Sequence, residues 1–393
     1  MGKIRLKNKF FNNYKLIKCL EKINKKISIN TIFSTIISKH IYIIFLFILI
    51  LIIFQREKGI KSIIFKESFK YNKDLNQENA LQLKQNKNKF FLEKNQDELN
   101  YCDGYGLFIY DYYDGKREYS QANIGDYFQS LAALQYLPKN CKPYFVDRDS
   151  VRYYYGPKIK LIMNGWYLLL QGNKYISKQI TPIIISYHLS NNEKLPNIYI
   201  ENLKQYSPIG CRDKKTKDQF MKYGIKAYFS SCLTTTLDID FAVNENERTN
   251  EIIFIDYKLG NYPKADDFLF SLKAYNLSNA TYISHMFSTK WTHIERFQYA
   301  KRLLNKYSRA KLIITTRIHG ALPCLALKTS VILINKKYDY KRYPGLYELL
   351  NTIGINKNKK FEIRVNIDDK GLVYNSKNYL EYSNKLKARL RKF

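Results

Sequence analysis

SRAKLIITTRIHGALPCLAL, residues 308–327, holds the turn that decides the fold. Ala310 to Thr315 is a short apolar run with branched side chains, the pattern of a buried strand. Gly320 to Leu327 carries apolar residues on every side and reads as a helix. Only Thr316 to His319 lie between them, so the strand passes almost directly into the helix. That is the repeating unit of a parallel α/β sheet.

Working upstream, Ile252–Asp256 and Ala280–His285 read as strands. Phe268–Tyr275 and Thr292–Tyr307 read as helices, the second with Ile294, Phe297, Ala300, Leu303 and Leu304 on one face. Downstream, Val331–Asn335 is another strand. Beyond a polar break at Val243–Asn250 the alternation begins again. Leu107–Tyr110, Leu161–Asn164, Pro182–Ser186, Ser207–Cys211 and Ala227–Ser230 are strands. Tyr127–Tyr136 and Lys214–Tyr223 are helices, the latter stopped by Gly224. The expected fold class is α/β, with two Rossmann-like doubly wound domains, residues 101–240 and 241–355, facing across a cleft in a GT-B-like arrangement. Residues 356–393 form a C-terminal tail with a helix from about Asn378. No GxGxxG follows the first strand of either unit, so no dinucleotide cofactor is expected.

The amino-terminal quarter differs. Ile41 to Phe54 (IYIIFLFILILIIF) is fourteen residues without a charge. As a helix it spans about 21 Å, short of the ~30 Å hydrocarbon core. The apolar Ile32–Ser38 lies just upstream, and Lys39 can snorkel toward a head group. A cleaved signal peptide is the alternative, but Gln55–Lys58 offers no small-residue cleavage site. The reading is a single-pass signal anchor through the membrane at 41–54. The basic segment 1–40, with ten Lys/Arg against one Glu, lies on the cytoplasmic side. Residues 55–100 are rich in Lys, Asn, Gln and Glu and read as a stem. In a eukaryote this layout puts the globular part in the secretory pathway, for example the Golgi lumen.

The formal charge of +32 opens a nucleic-acid or anionic-membrane reading. The lysines are scattered, however, and come with abundant Asn, Ile and Tyr, so compositional drift is the simpler account. No zinc-finger, RNP or OB pattern accompanies them, and no nucleic-acid partner is expected. The six Cys make no CxxC or Cys/His metal spacing and read as small buried residues. Cys211 with Cys232 is the one pair considered for a disulfide in an oxidising lumen. Asp238-Ile239-Asp240 resembles a metal-binding DxD, a match common by chance, and no metal is expected. Asn276-Leu277-Ser278 and Asn279-Ala280-Thr281 match glycosylation acceptors.

Ligands of open α/β sheets bind at the carboxyl ends of strands. At the end of strand 310–315, Arg317 supplies a fork suited to phosphate or carboxylate. The following helix adds free N–H groups and the positive end of its dipole. Gly320 permits close backbone approach, and His319 can hold or give a proton near neutral pH. The bland alternative is a surface loop whose arginine caps a carbonyl. Strand 207–211 ends in Arg212-Asp213, a counterpart in the first domain. Asp213 reads as the N-cap of the next helix. Two arginines from opposite domains can neutralise one small dianion.

Pro208-Ile209-Gly210-Cys211-Arg212-Asp213 with Thr216, Ser231-Cys232-Leu233-Thr234, and Thr315-Thr316-Arg317-Ile318-His319-Gly320-Ala321-Leu322-Pro323 together resemble the polysaccharide pyruvyl transferase family. Asn123-Ile124-Gly125-Asp126 and Asn164-Gly165-Trp166 fit the same pattern, and the order is kept over about residues 104–335. The resemblance implies phosphoenolpyruvate as donor, a glycan acceptor, a pyruvate ketal as product and no other cofactor. It implies that Arg212 and Arg317 hold the donor, with backbone N–H contacts around Ile318, where the family commonly has Leu. His319 becomes the candidate general acid. Asp126 either contacts a substrate or caps its helix. Trp166 and Tyr167 either stack on a sugar or are buried aromatics. His285 ends a strand near the same crevice, and His188 and His293 show no partner pattern. The competing readings are a GT-B glycosyltransferase using a nucleotide sugar and a non-catalytic, membrane-tethered glycan-binding protein.

Overall fold

The computed structural model describes residues 100–112, 120–166, 176–189, 195–237, 241, 243–335, 343–356 and 358–393. The chain divides into two units, 1–88 and 89–393, and every described residue lies in the second. The anchor, the stem, Tyr167 and the Asp238–Asp240 triplet lie outside the described residues. Among the described residues no helix is long and apolar enough to cross a membrane.

The second unit is mixed α/β, with two largely parallel six-stranded sheets compatible with a Rossmann-like fold. The first sheet contains β1 (Tyr101–Ile109), β3 (Lys142–Asp147), β4 (Ile159–Trp166), β5 (Ile180–His188), β6 (Ile209–Cys211) and β7 (Ala227–Phe229). Its order is β3-β1-β4-β5-β6-β7, parallel throughout. Helices α1 (Gly125–Leu134), α2 (Asn197–Lys204) and α3 (Lys214–Lys222) connect its strands. The second sheet contains β8 (Ile252–Ile255), β9 (Thr281–Ile283), β11 (Leu312–Thr315), β12 (Val331–Asn335), β13 (Asn351–Ile355) and β14 (Phe361–Arg364). Its order is β14-β13-β12-β11-β8-β9, with only β14 antiparallel. Helices α4 (Pro263–Ser271), α5 (His293–Arg309) and α6 (Ile318–Ala326) join these strands, and α7 (Tyr379–Leu390) ends the chain.

The second sheet follows the period-2 rule for a sheet covered on both faces. Ile253, Ile255, Ile313 and Leu333 join a core cluster with Phe297, Leu304 and Leu322 of α5 and α6. Ile252, Phe254, Leu312, Ile314, Ile332 and Ile334 face the other cluster, with Ala265 and Leu269 of α4. Each fully buried Leu or Ile contributes about 1.5–3 kcal/mol. Helix α5 starts at a capping box in which Thr292 and Glu295 bond each other's backbone N–H. Helix α4 begins earlier than the apolar spacing predicts, because Pro263 sits favourably in its first turn.

Three features join the halves. A short antiparallel ladder pairs β2 (Gln121–Asn123) with β10 (Met286–Ser288). Arg296 of α5 donates to the Tyr110 carbonyl at 2.7 Å and the Tyr127 hydroxyl at 3.0 Å. Helix α7 returns to the first half, where Ser383 Oγ donates to the Thr235 carbonyl at 2.9 Å.

The disulfide joins Cys102 to Cys141. Cys211 and Cys232, the pair considered from sequence, are both free and buried. The physical reason is the register: Tyr101 pairs with Lys142 on neighbouring strands, which brings the adjacent cysteines together. Closing a loop of 39 residues is worth on the order of 4 kcal/mol by chain entropy.

Candidate active site

In an open sheet a ligand enters where the chain changes direction of winding. In the second sheet this point lies between β8 and β11. Thr315 pairs with Ile255, and Ile255 pairs with Ile283, so the residues after each strand meet. Arg317 caps the start of α6. Its backbone N–H donates to Thr315 Oγ1 at 2.9 Å, and its Nε donates to Asp256 Oδ2 at 2.6 Å. A Cβ on Gly320 would stand 2.6 Å from Thr315 Oγ1, so this turn closes tightly only with glycine. Ile318 opens α6, where first-turn N–H groups lack helical acceptors. His319 follows, buried.

The first sheet presents its own carboxyl edge. Tyr187 pairs with Cys211, so His188 lies beside the segment Arg212-Asp213. Asp213 caps α3 as the sequence predicts, accepting from the Thr216 N–H at 2.8 Å. It also holds His188 Nδ1 at 2.6 Å, a pairing with no sequence pattern. His293 too has partners, Tyr127 Oη at 2.8 Å and Asp111 at 3.1 Å. Arg212 is 3% exposed, its guanidinium 5.4 Å from the centre of the Tyr343 ring. Among the described residues its guanidinium makes one long hydrogen bond, from Nη1 to Gln129 Oε1 at 3.4 Å, and its buried Nε meets no acceptor.

The two edges meet at His319. A Cβ on Gly125 would stand 2.7 Å from the His319 Cβ and 3.2 Å from its Nδ1. Glycine at 125 therefore lets the second-sheet histidine pack onto the start of α1. On its other side, His319 Nε2 lies 3.8 Å from Cys232 Sγ. Burial raises the pKa of that thiol, with Arg212 opposing in part, so it stands there as a neutral SH. One residue past Gly125, Asp126 accepts from Tyr112 Oη at 3.2 Å and Gln129 Nε2 at 3.3 Å. It makes no side-chain cap bond to α1, so its cap reading gives way to its place in this polar cluster. Burial raises its pKa, and Arg148, 4.0 Å away, together with Tyr112 opposes that rise.

Gln129 thus bridges Asp126 and Arg212. The structure brings Arg212 and Asp126 together through Gln129 and sets His319, which follows Arg317 and Ile318 in the chain, against Gly125 and near Cys232. Trp166 ends β4 half-buried, at the margin of the cluster, with the Arg148 guanidinium 5.3 Å from its ring centre. Arg148 is itself fixed by Asp149, at 3.0 Å and 2.8 Å. His285 is not an open participant. It is fully buried, its Nε2 is 2.8 Å from Tyr307 Oη, and burial lowers its pKa to about 4.

Sequence reasoning missed three contributors: Gln129, Asp256 and Arg148. Asp256 carried a usable signal, an acidic residue at the end of a unit's first strand. Gln129 carried none beyond its helical phase. Chemically, the cluster offers two guanidinium groups for an anion, an imidazole for proton transfer and a carboxyl group with raised proton affinity.

A family model described as polysaccharide pyruvyl transferase matches residues 123–338, more than half of the chain. No curated protein matches. One solved structure, a functionally uncharacterised protein from Klebsiella pneumoniae, is 16% identical and covers 63% of this chain and 89% of its own. Its TM-score is 0.38.

Proposed function

The chain belongs to the polysaccharide pyruvyl transferase family, and from that premise we propose a reaction and a set of roles. The enzyme transfers the carboxyvinyl group of phosphoenolpyruvate to two hydroxyls of one sugar in a glycan. The products are a cyclic pyruvate ketal and inorganic phosphate. Arg212 and Arg317 hold the phosphate and carboxylate of the donor, helped by the backbone N–H groups around Ile318. His319 gives a proton to the methylene carbon, which becomes a methyl group. C2 then carries oxocarbenium character and is attacked by one sugar hydroxyl, phosphate departs, and the second hydroxyl closes the ring. Asp126 and Trp166, on the first-sheet side, face the acceptor. The reaction as proposed calls on no metal and no cofactor beyond the donor.

One observation carries this reading. Arg212 is buried, with Cys232 lying between it and His319 and with only a 3.4 Å hydrogen bond to Gln129 on its guanidinium among the described residues. A buried cation with such weak partners is suited to a dianion, which would compensate its charge.

The proposed architecture is GT-B-like, tethered by Ile41–Phe54, with the N-terminus cytoplasmic. The Cys102–Cys141 disulfide supports a catalytic unit in an oxidising compartment, such as a secretory lumen. The exposed Asn276 and Asn279 are compatible with it.

The test is phosphate release from phosphoenolpyruvate by the full-length chain, offered a panel of galactosides, mannosides and N-acetylhexosaminides. Release that needs an acceptor and vanishes in His319→Ala supports the reading. No release with any acceptor, while a nucleotide sugar is consumed, moves the assignment to a glycosyltransferase.

A further inference from the structure

β8 ends at Ile255, and the next residue, Asp256, has φ +47°. A non-glycine residue enters this left-handed region only where the surrounding structure holds it there. The turn sends the carboxylate back across the ends of β8, β9 and β11. Three donors meet it. Ser284 Oγ donates to Oδ1 at 2.8 Å, the His285 N–H to Oδ2 at 3.2 Å, and Arg317 Nε to the same Oδ2 at 2.6 Å. Burial would raise the carboxyl pKa, but Arg317, His285 and Ser284 outweigh it and hold the group below the usual carboxylate range.

The decisive detail is which edge of Arg317 is taken. A guanidinium offers five N–H donors in one plane. Asp256 engages Nε alone. That fixes the plane of the fork and leaves the four N–H groups of Nη1 and Nη2 without a protein acceptor among the described residues. Those four are the ones a phosphate or carboxylate takes end-on in a bidentate pair. A free arginine side chain loses rotamer freedom when it binds an anion, so a pre-set plane improves anion affinity.

We propose that Asp256 is a positioning residue that presents the terminal edge of Arg317 to the anionic groups of the donor. This rests on the donor reading above. Asp256 touches no substrate. The competing role is a plain brace that ties β8 to β9 through Ser284 and His285.

A double-mutant cycle on the full-length protein separates the two, with phosphoenolpyruvate affinity measured by calorimetry. Asp256→Ala weakens binding about tenfold or more in the wild-type background, as expected for one lost charge-assisted contact acting through Arg317. In an Arg317→Ala background the same change has less than about a twofold effect, because its target is gone. Asp256→Asn keeps the shape and an acceptor oxygen and loses only part of the affinity, which guards against misfolding of the alanine variant. In turnover the KM for phosphoenolpyruvate rises, while the KM for the acceptor stays unchanged. Equal, additive losses in both backgrounds overturn the positioning role and leave the donor reading intact. If Arg317→Ala itself leaves phosphoenolpyruvate binding unchanged, the donor reading fails and this role falls with it.

Discussion

The two arginines at the centre of the site are held in opposite ways. Arg212, at the edge of the first sheet, is buried, and among the described residues its guanidinium bonds an amide oxygen at 3.4 Å and lies over the face of Tyr343. Arg317, at the edge of the second, is about one-third exposed and locked to Asp256 at 2.6 Å. Arg212 is therefore buried among weak partners, whereas Arg317 is given a fixed direction by a short ion pair. One arginine supplies attraction and the other supplies geometry.

That contrast can be broken or sharpened by mutation. The largest effect belongs to His319, which serves both arms. His319→Ala lowers kcat by about 10²–10⁴, the range for a lost general acid, with the unfolding midpoint little changed. Arg212→Ala follows, with phosphoenolpyruvate affinity falling about 10²-fold, the size of a bidentate charge-assisted contact. Gly125→Ala needs no charge change: its new methyl group pushes His319 away, and a displacement near 1 Å costs about 10² in kcat.

A smaller effect concerns pH and the second arm. His285 is neutral in the fold down to about pH 4, against an ordinary value of 6.5. Between those values the unfolded chain takes up a proton that the folded one refuses. Stability is therefore retained above about pH 6.5 and lost as pH falls toward 4, by on the order of 3 kcal/mol. Urea midpoints at pH 7.5 and 5 should show that fall, and His285→Asn should flatten it. Gln129→Leu is the mildest change. It removes the amide between Arg212 and Asp126, two long hydrogen bonds to charged partners, and should raise the KM for the donor a few-fold, by about 1 kcal/mol.

The sequence made the second sheet readable because its strands are unbroken apolar runs. Val331–Asn335 is found with the expected bounds, and Ile252–Asp256 differs by one residue. The first sheet was harder. β3, Lys142–Asp147, mixes Lys, Pro and Asp with aromatics and carries no clean period, although it pairs with β1 along the sheet edge. β2 and β10 are three residues each and gain their order only from pairing across the two halves. Missing β3 also hid the Cys102–Cys141 bond. Arg212, Arg317 and His319 were legible because a strand end and a helix start bracket each motif. Gln129 was not, because its role comes from a contact 83 positions away, and Asp256 showed only its place at a strand end, its partner Arg317 lying 61 positions on.

The central claim is that arginines from both sheets and His319 serve one donor molecule. A crystal structure of the enzyme soaked with phosphoenolpyruvate tests it most directly. The account predicts oxygens of one ligand within about 3 Å of both the Arg212 and Arg317 guanidinium groups, with the methylene carbon facing the His319 ring. A ligand held by one arginine alone, or seated away from His319, would contradict it.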